Sequence, residues 1–402
     1  MASRPGRARA IVRALAITQT VGYGALYYSF AVFLVPMAAD LHASTGAITG
    51  AFTASVLTSA VLAVPVGHWL DRHGGRALMT AGSLLGAILL AAWSQVHALW
   101  QLYLVEIGIG VACAASLYEA AFAVIIAWHP ARRRSAALLT LTVVAGFAST
   151  VFLPLTGWLV HACGWRTALL LLAAIQAGLT VPLHAVVLRP APAHPTRSRR
   201  PPAPPRPIFT DRAFWLLTVA FTANTAAIAV VTVHLVAALI GWGHPATFAA
   251  TTAGLFGLLS VTGRLVTTGL QRRYRTIPVV AAVFAVQGLA AALLPLAGRD
   301  STLAVLAVVG FGLGFGVATI AKPVLLAERY GTRRYATIAG AMVVPVTIAK
   351  AAAPLGAAWL AAGGGYGAVF ASVGLAGLVA ASALVAVGRA PGRSDEKSEP
   401  VT

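Results

Sequence analysis

Residues 67–76 (GHWLDRHGGR) place a cluster of charged and titratable side chains between two long apolar runs. A membrane helix cannot continue through the Asp-Arg-His triplet at 71–73, because these groups need water. Gly74 allows a sharp reversal of the chain, and the next apolar run starts at Ala77. The segment therefore predicts a tight turn at a membrane surface, and its basic excess favours the cytoplasmic surface.

Apolar runs of about 20 residues or more recur along the chain, which is 59% hydrophobic and only 10% charged. A soluble domain needs more polar surface than this. We therefore expect an all-α membrane protein with twelve transmembrane helices in two pseudo-symmetric six-helix halves. The predicted spans are roughly residues 14–38, 46–70, 77–96, 99–127, 135–160, 166–188, 213–239, 246–270, 277–297, 302–328, 336–361 and 367–388.

Arginines concentrate in the loops that follow the even-numbered spans, whereas the opposite loops contain only Arg166 and Arg299. By the positive-inside rule, we expect a multi-pass protein of the plasma (inner) membrane with both termini cytoplasmic. Because the net charge of +19 is accounted for by topology, no nucleic acid partner is expected; the partner is the lipid bilayer.

The two halves show a weak repeat at an offset of 200 residues, in which Pro154 matches Pro354. The predicted domains are an N-terminal half (1–188), a cytoplasmic linker rich in Pro and Arg (189–211), a C-terminal half (212–388) and a cytoplasmic tail (389–402). The linker has the composition of an extended chain that does not form a core, and a proline-rich recognition motif there stays open.

The spacing of residues 67–76, Gly-x-x-x-Asp-Arg-x-Gly-x-Arg, resembles the loop between helices 2 and 3 of major facilitator superfamily transporters. This resemblance implies two halves that rock about a midplane site. It also implies that the loop acid latches one state by contacting the start of a helix in the other half. The conformational gating residues would then be Gly67, Asp71, Arg72, Gly74 and Arg76.

Within that superfamily, residues 132–166 and the pair Gly263-Arg264 resemble the monocarboxylate-porter branch. Drug–proton antiporters of the superfamily have an Arg four residues before a Gly in span four, where this chain has Glu106 before Gly110. This departure argues against drug efflux.

Ionisable side chains inside a bilayer are costly and indicate function. The predicted spans contain Glu106, Glu119, Arg264, Lys322 and Lys350. Glu119 and Lys350 lie deep in their spans, and we expect them to face the transport pathway. Arg264 and Lys322 lie nearer a span end, where they could line the pathway or extend to the surface. Glu119 could also form a structural ion pair with Lys322 or Lys350.

Gln19, Tyr23 and Tyr27 are spaced by four in span one and share one helical face. Such a polar and aromatic stripe suits the wall of a cavity for an organic solute. Asn224 in span seven is a further candidate for the substrate and proton pathway, although it could equally hydrogen-bond a neighbouring helix.

These features predict a secondary active transporter of a small organic solute, an organic anion such as a monocarboxylate, with proton coupling through Glu119. Efflux of hydrophobic or cationic compounds and a transporter-derived sensor stay open as alternatives. We do not expect an enzyme, because the spans lack paired His or Asp clusters. No cofactor or metal is expected, since residues 310–316 (GFGLGFG) lack a preceding strand and are expected to serve helix contacts or bending.

Overall fold

The computed structural model describes residues 4–188, 208–332 and 334–389, and every regular element in these ranges is helical. The predicted linker up to residue 207, Arg333 and the predicted tail from residue 390 lie outside the described residues. Contacts divide the chain into two compact units. Unit 1 is Met1–Pro195 with Tyr330–Val344, and unit 2 is Thr196–Arg329 with Pro345–Thr402. The predicted division at the linker stays a prediction.

The helices of the first part of the chain are α1 (Arg4–Tyr23), α2 (Ser29–Asp40), α3 (Thr45–His73), α4 (Gly75–Trp93), α5 (Leu99–Ser116), α6 (Tyr118–Trp128), α7 (Ala131–Gly146) and α8 (Ala148–Ile175), with π-helical turns at Gly24–Tyr28, Gln176–Thr180 and Leu183–Val187. They are followed by a 3-10 turn (Ile208–Thr210), α9 (Arg212–Gly241), α10 (Ala246–Leu270), α11 (Thr276–Ala297), α12 (Ser301–Gly312), α13 (Val317–Tyr330) and α14 (Tyr335–Arg389).

Ten helical stretches in the described part of the chain are long and apolar enough to cross a membrane. Two of them, Ala131–Val187 with 57 residues and Tyr335–Arg389 with 55 residues, are far longer than the rest. At about 1.5 Å per residue each would extend more than 80 Å, whereas the hydrocarbon core of a bilayer is about 30 Å thick. Each therefore has the length of two spans, and the total of twelve stays a prediction.

A glycine in a non-helical conformation interrupts each of these long stretches. Gly164 has φ 77° and ψ 162°, and Gly365 has φ 67° and ψ 180°. Gly74, which separates α3 from α4, has nearly the same angles (φ 74°, ψ 178°). Only glycine adopts this region readily, since a Cβ atom clashes with the backbone there. Glycine therefore allows the chain to change direction between helices at residues 74, 164 and 365.

The predicted fourth and tenth spans are each broken in the middle. Leu117 is extended (φ −88°, ψ −158°) and separates α5 from α6. Residues 313–316 form turns between α12 and α13. The glycine-rich sequence at 310–316, for which helix contacts or bending were predicted, therefore coincides with a helix break.

Each unit has its own buried apolar core. In unit 1, Phe30, Phe33 and Trp93 pack together, with the ring centroids of Phe33 and Trp93 5.6 Å apart. In unit 2, Phe256 and Phe311 pack with ring centroids 5.9 Å apart. These clusters hold the helices that present the polar residues described below.

We expect Gly365→Ala to lower the free energy of unfolding by about 1–3 kcal/mol, because alanine is strained at positive φ with extended ψ. Chemical unfolding of the purified protein in mixed micelles measures this loss. Gly356→Ala is the matched control, since an added Cβ meets no atom within 4 Å and alanine favours a helix. Equal stability of the two variants would contradict the assignment of a reversal to Gly365.

Candidate functional site

Asp71, in the last turn of α3, caps the start of α14. Its Oδ1 atom accepts a hydrogen bond from the backbone N–H of Ala336 (3.0 Å). Its Oδ2 atom accepts from the N–H (2.8 Å) and the hydroxyl group (2.6 Å) of Thr337. The first N–H groups of a helix have no acceptor within it, and the helix dipole favours an anion there. All three residues lie in unit 1.

Two glycines allow α3 and the start of α14 to approach closely. A Cβ atom on Gly67 would clash with the carbonyl oxygen of Ala336, and a Cβ atom on Gly340 would clash with that of Ala63. The predicted role of Gly67 therefore has a steric basis, since any larger residue would separate the two helices that Asp71 joins.

The other predicted gating residues border a cavity of about 280 Å³ in unit 1. Arg72 is exposed at its edge, and Gly74 provides the reversal and donates its N–H to the carbonyl oxygen of Leu70 (2.9 Å). The Nε atom of Arg76 donates to the carbonyl oxygen of Ala185 (2.7 Å), which ties the loop to the last π-helical turn.

Gln19 is fully buried and faces the break in the fourth predicted span. Its Nε2 atom donates to the carbonyl oxygen of Ser116 (2.8 Å), the last residue of α5. The extended conformation of Leu117 removes the helical N–H that would otherwise bond this carbonyl, so the amide of Gln19 replaces it. One polar contact thus links α1 to the point where the span is broken.

Tyr23 and Tyr27 belong to an aromatic cluster beside this break. The ring centroid of Tyr23 lies 4.6 Å from that of Tyr118 and 6.1 Å from that of Tyr27. Tyr27 also contacts Tyr28 (5.3 Å), and both lie in the π-helical turn Gly24–Tyr28. Such turns are frequent at functional sites. The tyrosines are partly exposed, so rings and hydroxyl groups of the cluster are accessible.

Glu119 is half-buried in the first turn of α6, and it is an ionisable neighbour of Tyr23. The break at Leu117 therefore creates a helix start in the middle of a span and places an acid on it.

Arg264 has a comparable role at the break between α12 and α13. Its Nε atom donates to the carbonyl oxygen of Gly316 (3.1 Å). A Cβ atom on the preceding residue, Gly263, would clash with the carbonyl oxygen of Leu313, so glycine there lets α10 approach the break. Of the two interpretations left open for Arg264, the contact favours the interior of unit 2 over the membrane surface.

Asn224 is buried in a hydrogen-bonded chain within unit 2. Its Nδ2 atom donates to Oε1 of Gln287 (3.0 Å), and Nε2 of Gln287 donates to the carbonyl oxygen of Phe311 (3.0 Å). Asn224 and Gln287 are each 1% exposed. The geometry favours the alternative interpretation of Asn224, a hydrogen bond between helices.

Lys322 and Lys350 lie on different helices of unit 2. Lys322 is half-buried in α13, one residue before Pro323. Lys350 is exposed in α14, and its ammonium group has no hydrogen-bond or ion-pair partner in the part of the chain that the structure describes. Pro354 lacks an N–H, so the carbonyl group of Lys350 also loses its partner within the helix.

Glu106 and His184 are the most deeply buried of the titratable acids and histidines that were not among the predicted site residues. Glu106 is 0% exposed on α5. His184 is 1% exposed and lies 2.8 Å from Oγ of Ser83 and 2.9 Å from Oγ1 of Thr18. The sequence shows both residues inside apolar runs, but partners that are 101 and 166 positions away leave no local signal.

The model of the family described as Major Facilitator Superfamily matches residues 15–349. Among curated proteins, monocarboxylate transporter 13 of Rattus norvegicus is 29% identical over 315 residues, which cover 76% of this chain and 71% of that protein. Two further relatives align over 40% and 44% of the chain, and over only 40% and 41% of their own length.

Solved structures show the same fold. The fucose:proton symporter of E. coli superposes with a TM-score of 0.70 at 16% identity, covering 94% of this chain and 98% of that one. The human organic anion transporter TETRAN superposes with a TM-score of 0.67 at 16% identity, covering 96% and 100%. At this identity the likeness shows the fold alone.

We expect Gln19→Leu to lower the free energy of unfolding by about 1–3 kcal/mol, because the buried carbonyl group of Ser116 then has no donor. Unfolding in mixed micelles again measures the change. Gln95→Leu is the control, since Gln95 is exposed. If both variants were equally stable, the hydrogen bond from Gln19 to the carbonyl group of Ser116 would not contribute to stability.

Proposed function

The chain belongs to the major facilitator superfamily, and on that basis we propose a secondary active transporter that moves a small organic anion by alternating access. The solute class is a monocarboxylate or a similar small carboxylate, and a proton moves with it. The protein crosses the plasma (inner) membrane twelve times, with both termini in the cytoplasm. The superfamily and the fold are those of multi-pass membrane transporters rather than of enzymes.

The observation that carries the choice of an anion is the ammonium group of Lys350. It lies within an apolar helix and has no counter-charge among the described residues. A cation in a spanning segment is unfavourable without an anionic partner or water, so a carboxylate solute supplies the missing charge. The similarity to a monocarboxylate transporter supports the same class.

The aromatic cluster within unit 1 is a second candidate surface for the solute, because Tyr23 and Tyr27 offer hydroxyl groups and apolar ring faces. This surface suits the organic part of the solute. Arg264 and Lys322 add positive charge in unit 2, which favours an anion over a neutral solute.

A second candidate function is efflux of organic cations. The tyrosine cluster lies beside Glu119, and aromatic faces together with a carboxylate are suited to binding a cation. Binding measurements with a carboxylate and a cationic probe separate the two functions.

Lys350→Gln should weaken the binding of lactate by about 10–100-fold, since a charged hydrogen bond contributes roughly 1.5–3 kcal/mol. Lys350→Arg should retain part of the affinity, because it retains the charge. Isothermal titration calorimetry of the purified variants measures the affinity for an anion, lactate, and for a cation, tetraphenylphosphonium. Arg299→Gln, in the exposed loop before α12, controls for the loss of any positive charge in unit 2. Unchanged lactate binding in Lys350→Gln, or binding of the cation alone, would make the anion assignment wrong.

We propose that the cap formed by Asp71 latches one conformation. The helix that it caps runs from unit 1 into unit 2, and the division between the units falls at Pro345, a residue that interrupts helical hydrogen bonding. A latch at the start of α14 therefore acts on a helix that belongs to both units.

Asp71→Asn should fold and insert but transport at least about tenfold more slowly, because an amide cannot replace a carboxylate that accepts three hydrogen bonds at a helix N-terminus. Initial uptake rates of radiolabelled lactate per inserted molecule in proteoliposomes test this. Asp300→Asn is the matched control, since Asp300 caps the start of α12 through the N–H of Leu303 (2.9 Å). Equal slowing in both variants would assign the effect to helix capping in general.

A further inference from the structure

Glu106 is the ionisable group of unit 1 that lies most completely inside the protein. Its side chain is 0% exposed in the middle of α5, and neither carboxyl oxygen has a hydrogen-bond partner among the described residues. An ionised carboxylate in such a place would lose its water without gaining a counter-charge or a donor. The side chain is therefore a neutral carboxylic acid in this conformation.

The helices around Glu106 offer it no positive charge. Ser55 of α3 lies beside it but is not in hydrogen-bonding geometry, and Cys113 lies two turns further along α5. The ionisable residues of α3 begin at His68, about 20 Å along the helix from Ser55. In α4, Arg76 in the first turn is the sole charged residue. No described cation therefore holds Glu106 in its ionised form.

The contact between α3 and α5 at this point is close. A Cβ atom on Gly110, one turn after Glu106, would clash with the carbonyl oxygen of Ser55. Water therefore reaches the carboxyl group only if these helices separate or shift. Such a shift would expose Glu106 and allow it to release its proton.

Glu106 is also connected to the aromatic cluster. Cys113 is an ionisable neighbour of both Glu106 and Tyr23, and Glu119 is another neighbour of Tyr23. Glu119 lies at a helix start and is half-buried, whereas Glu106 lies in the middle of a helix and is fully buried. The two acids of the fourth predicted span thus differ in their position within a helix and in their burial.

We propose that Glu106 carries the coupling proton of the transport cycle, and that it holds this proton in the conformation described here. Its carboxylate takes up a proton from water when the contact between α3 and α5 opens on one side, and returns it to water on the other. This inference rests on the proposed function, because it assigns the proton of that same transport cycle.

Infrared difference spectroscopy tests the protonation of Glu106 without requiring transport. Purified protein is titrated with pH, and the carbonyl stretching band of a protonated carboxyl group is followed. We expect this band in the parent protein and in Glu119→Gln, and we expect it to be lost in Glu106→Gln. A band that persists in Glu106→Gln and disappears in Glu119→Gln would overturn the proposal.

Transport measurements then test the coupling role. In proteoliposomes with an inward proton gradient, Glu106→Gln should lose the accumulation of radiolabelled lactate above equilibrium but keep lactate exchange. A purely structural acid would behave differently, since glutamine resembles the protonated side chain and would leave accumulation unchanged. Glu106→Asp keeps a carboxyl group and should restore part of the accumulation, which also provides a folded variant if Glu106→Gln does not insert. Absence of lactate transport in the parent would reject the proposed function while the infrared result still decides the state of Glu106.

Discussion

The structure depends on one constraint, which is that backbone polar groups inside a membrane must find partners within the protein. An unbroken helix meets this requirement on its own, but the spans that contain Leu117 and residues 313–316 do not. At each break a side chain from another helix bonds a backbone carbonyl. Gln19 supplies the missing donor to Ser116, and Arg264 bonds Gly316, which also accepts from the hydroxyl group of Thr319 (2.7 Å). Because an unsatisfied carbonyl in an apolar environment is costly, the contact of Gln19 ties α1 to the first break.

The breaks have a consequence for charge. A break inside a span produces a new helix start, and a helix start stabilises an anion. Glu119 occupies such a start, and Asp71 caps another at the beginning of α14. Glu106, on the unbroken part of α5, has no such support. Acidic side chains therefore differ in their surroundings according to their distance from a helix end, and depth in the membrane alone does not show this difference.

Much of the fold could be predicted from the sequence, because apolar runs, reversals and helix caps are local. The turn at 67–76, the break at 310–316 and the all-helical membrane architecture all follow from short patterns. The candidate site could be predicted less well from the sequence. Gln19, Asn224 and Arg264 were predicted as pathway residues from residue type and position, yet their hydrogen bonds connect residues 97, 63 and 52 positions apart. The spacing of residues in the sequence does not predict partners at such distances. Only the arrangement of the helices shows which polar side chains already have hydrogen-bond partners.

The polar side chains that have no hydrogen-bond or ion-pair partner within the protein are the ones available for binding a solute or a proton. Asn224 and Gln287 bond each other, so they offer no free group to a solute beyond the carbonyl oxygen of Asn224. Lys350 is exposed without a counter-charge, whereas Glu106 is enclosed without one. An accessible cation is stable in the absence of a solute because water solvates it. An enclosed acid without a partner is stable only in its neutral form. In the transport cycle that we propose, Lys350 is available to a carboxylate, and Glu106 stores the proton until the helices around it move.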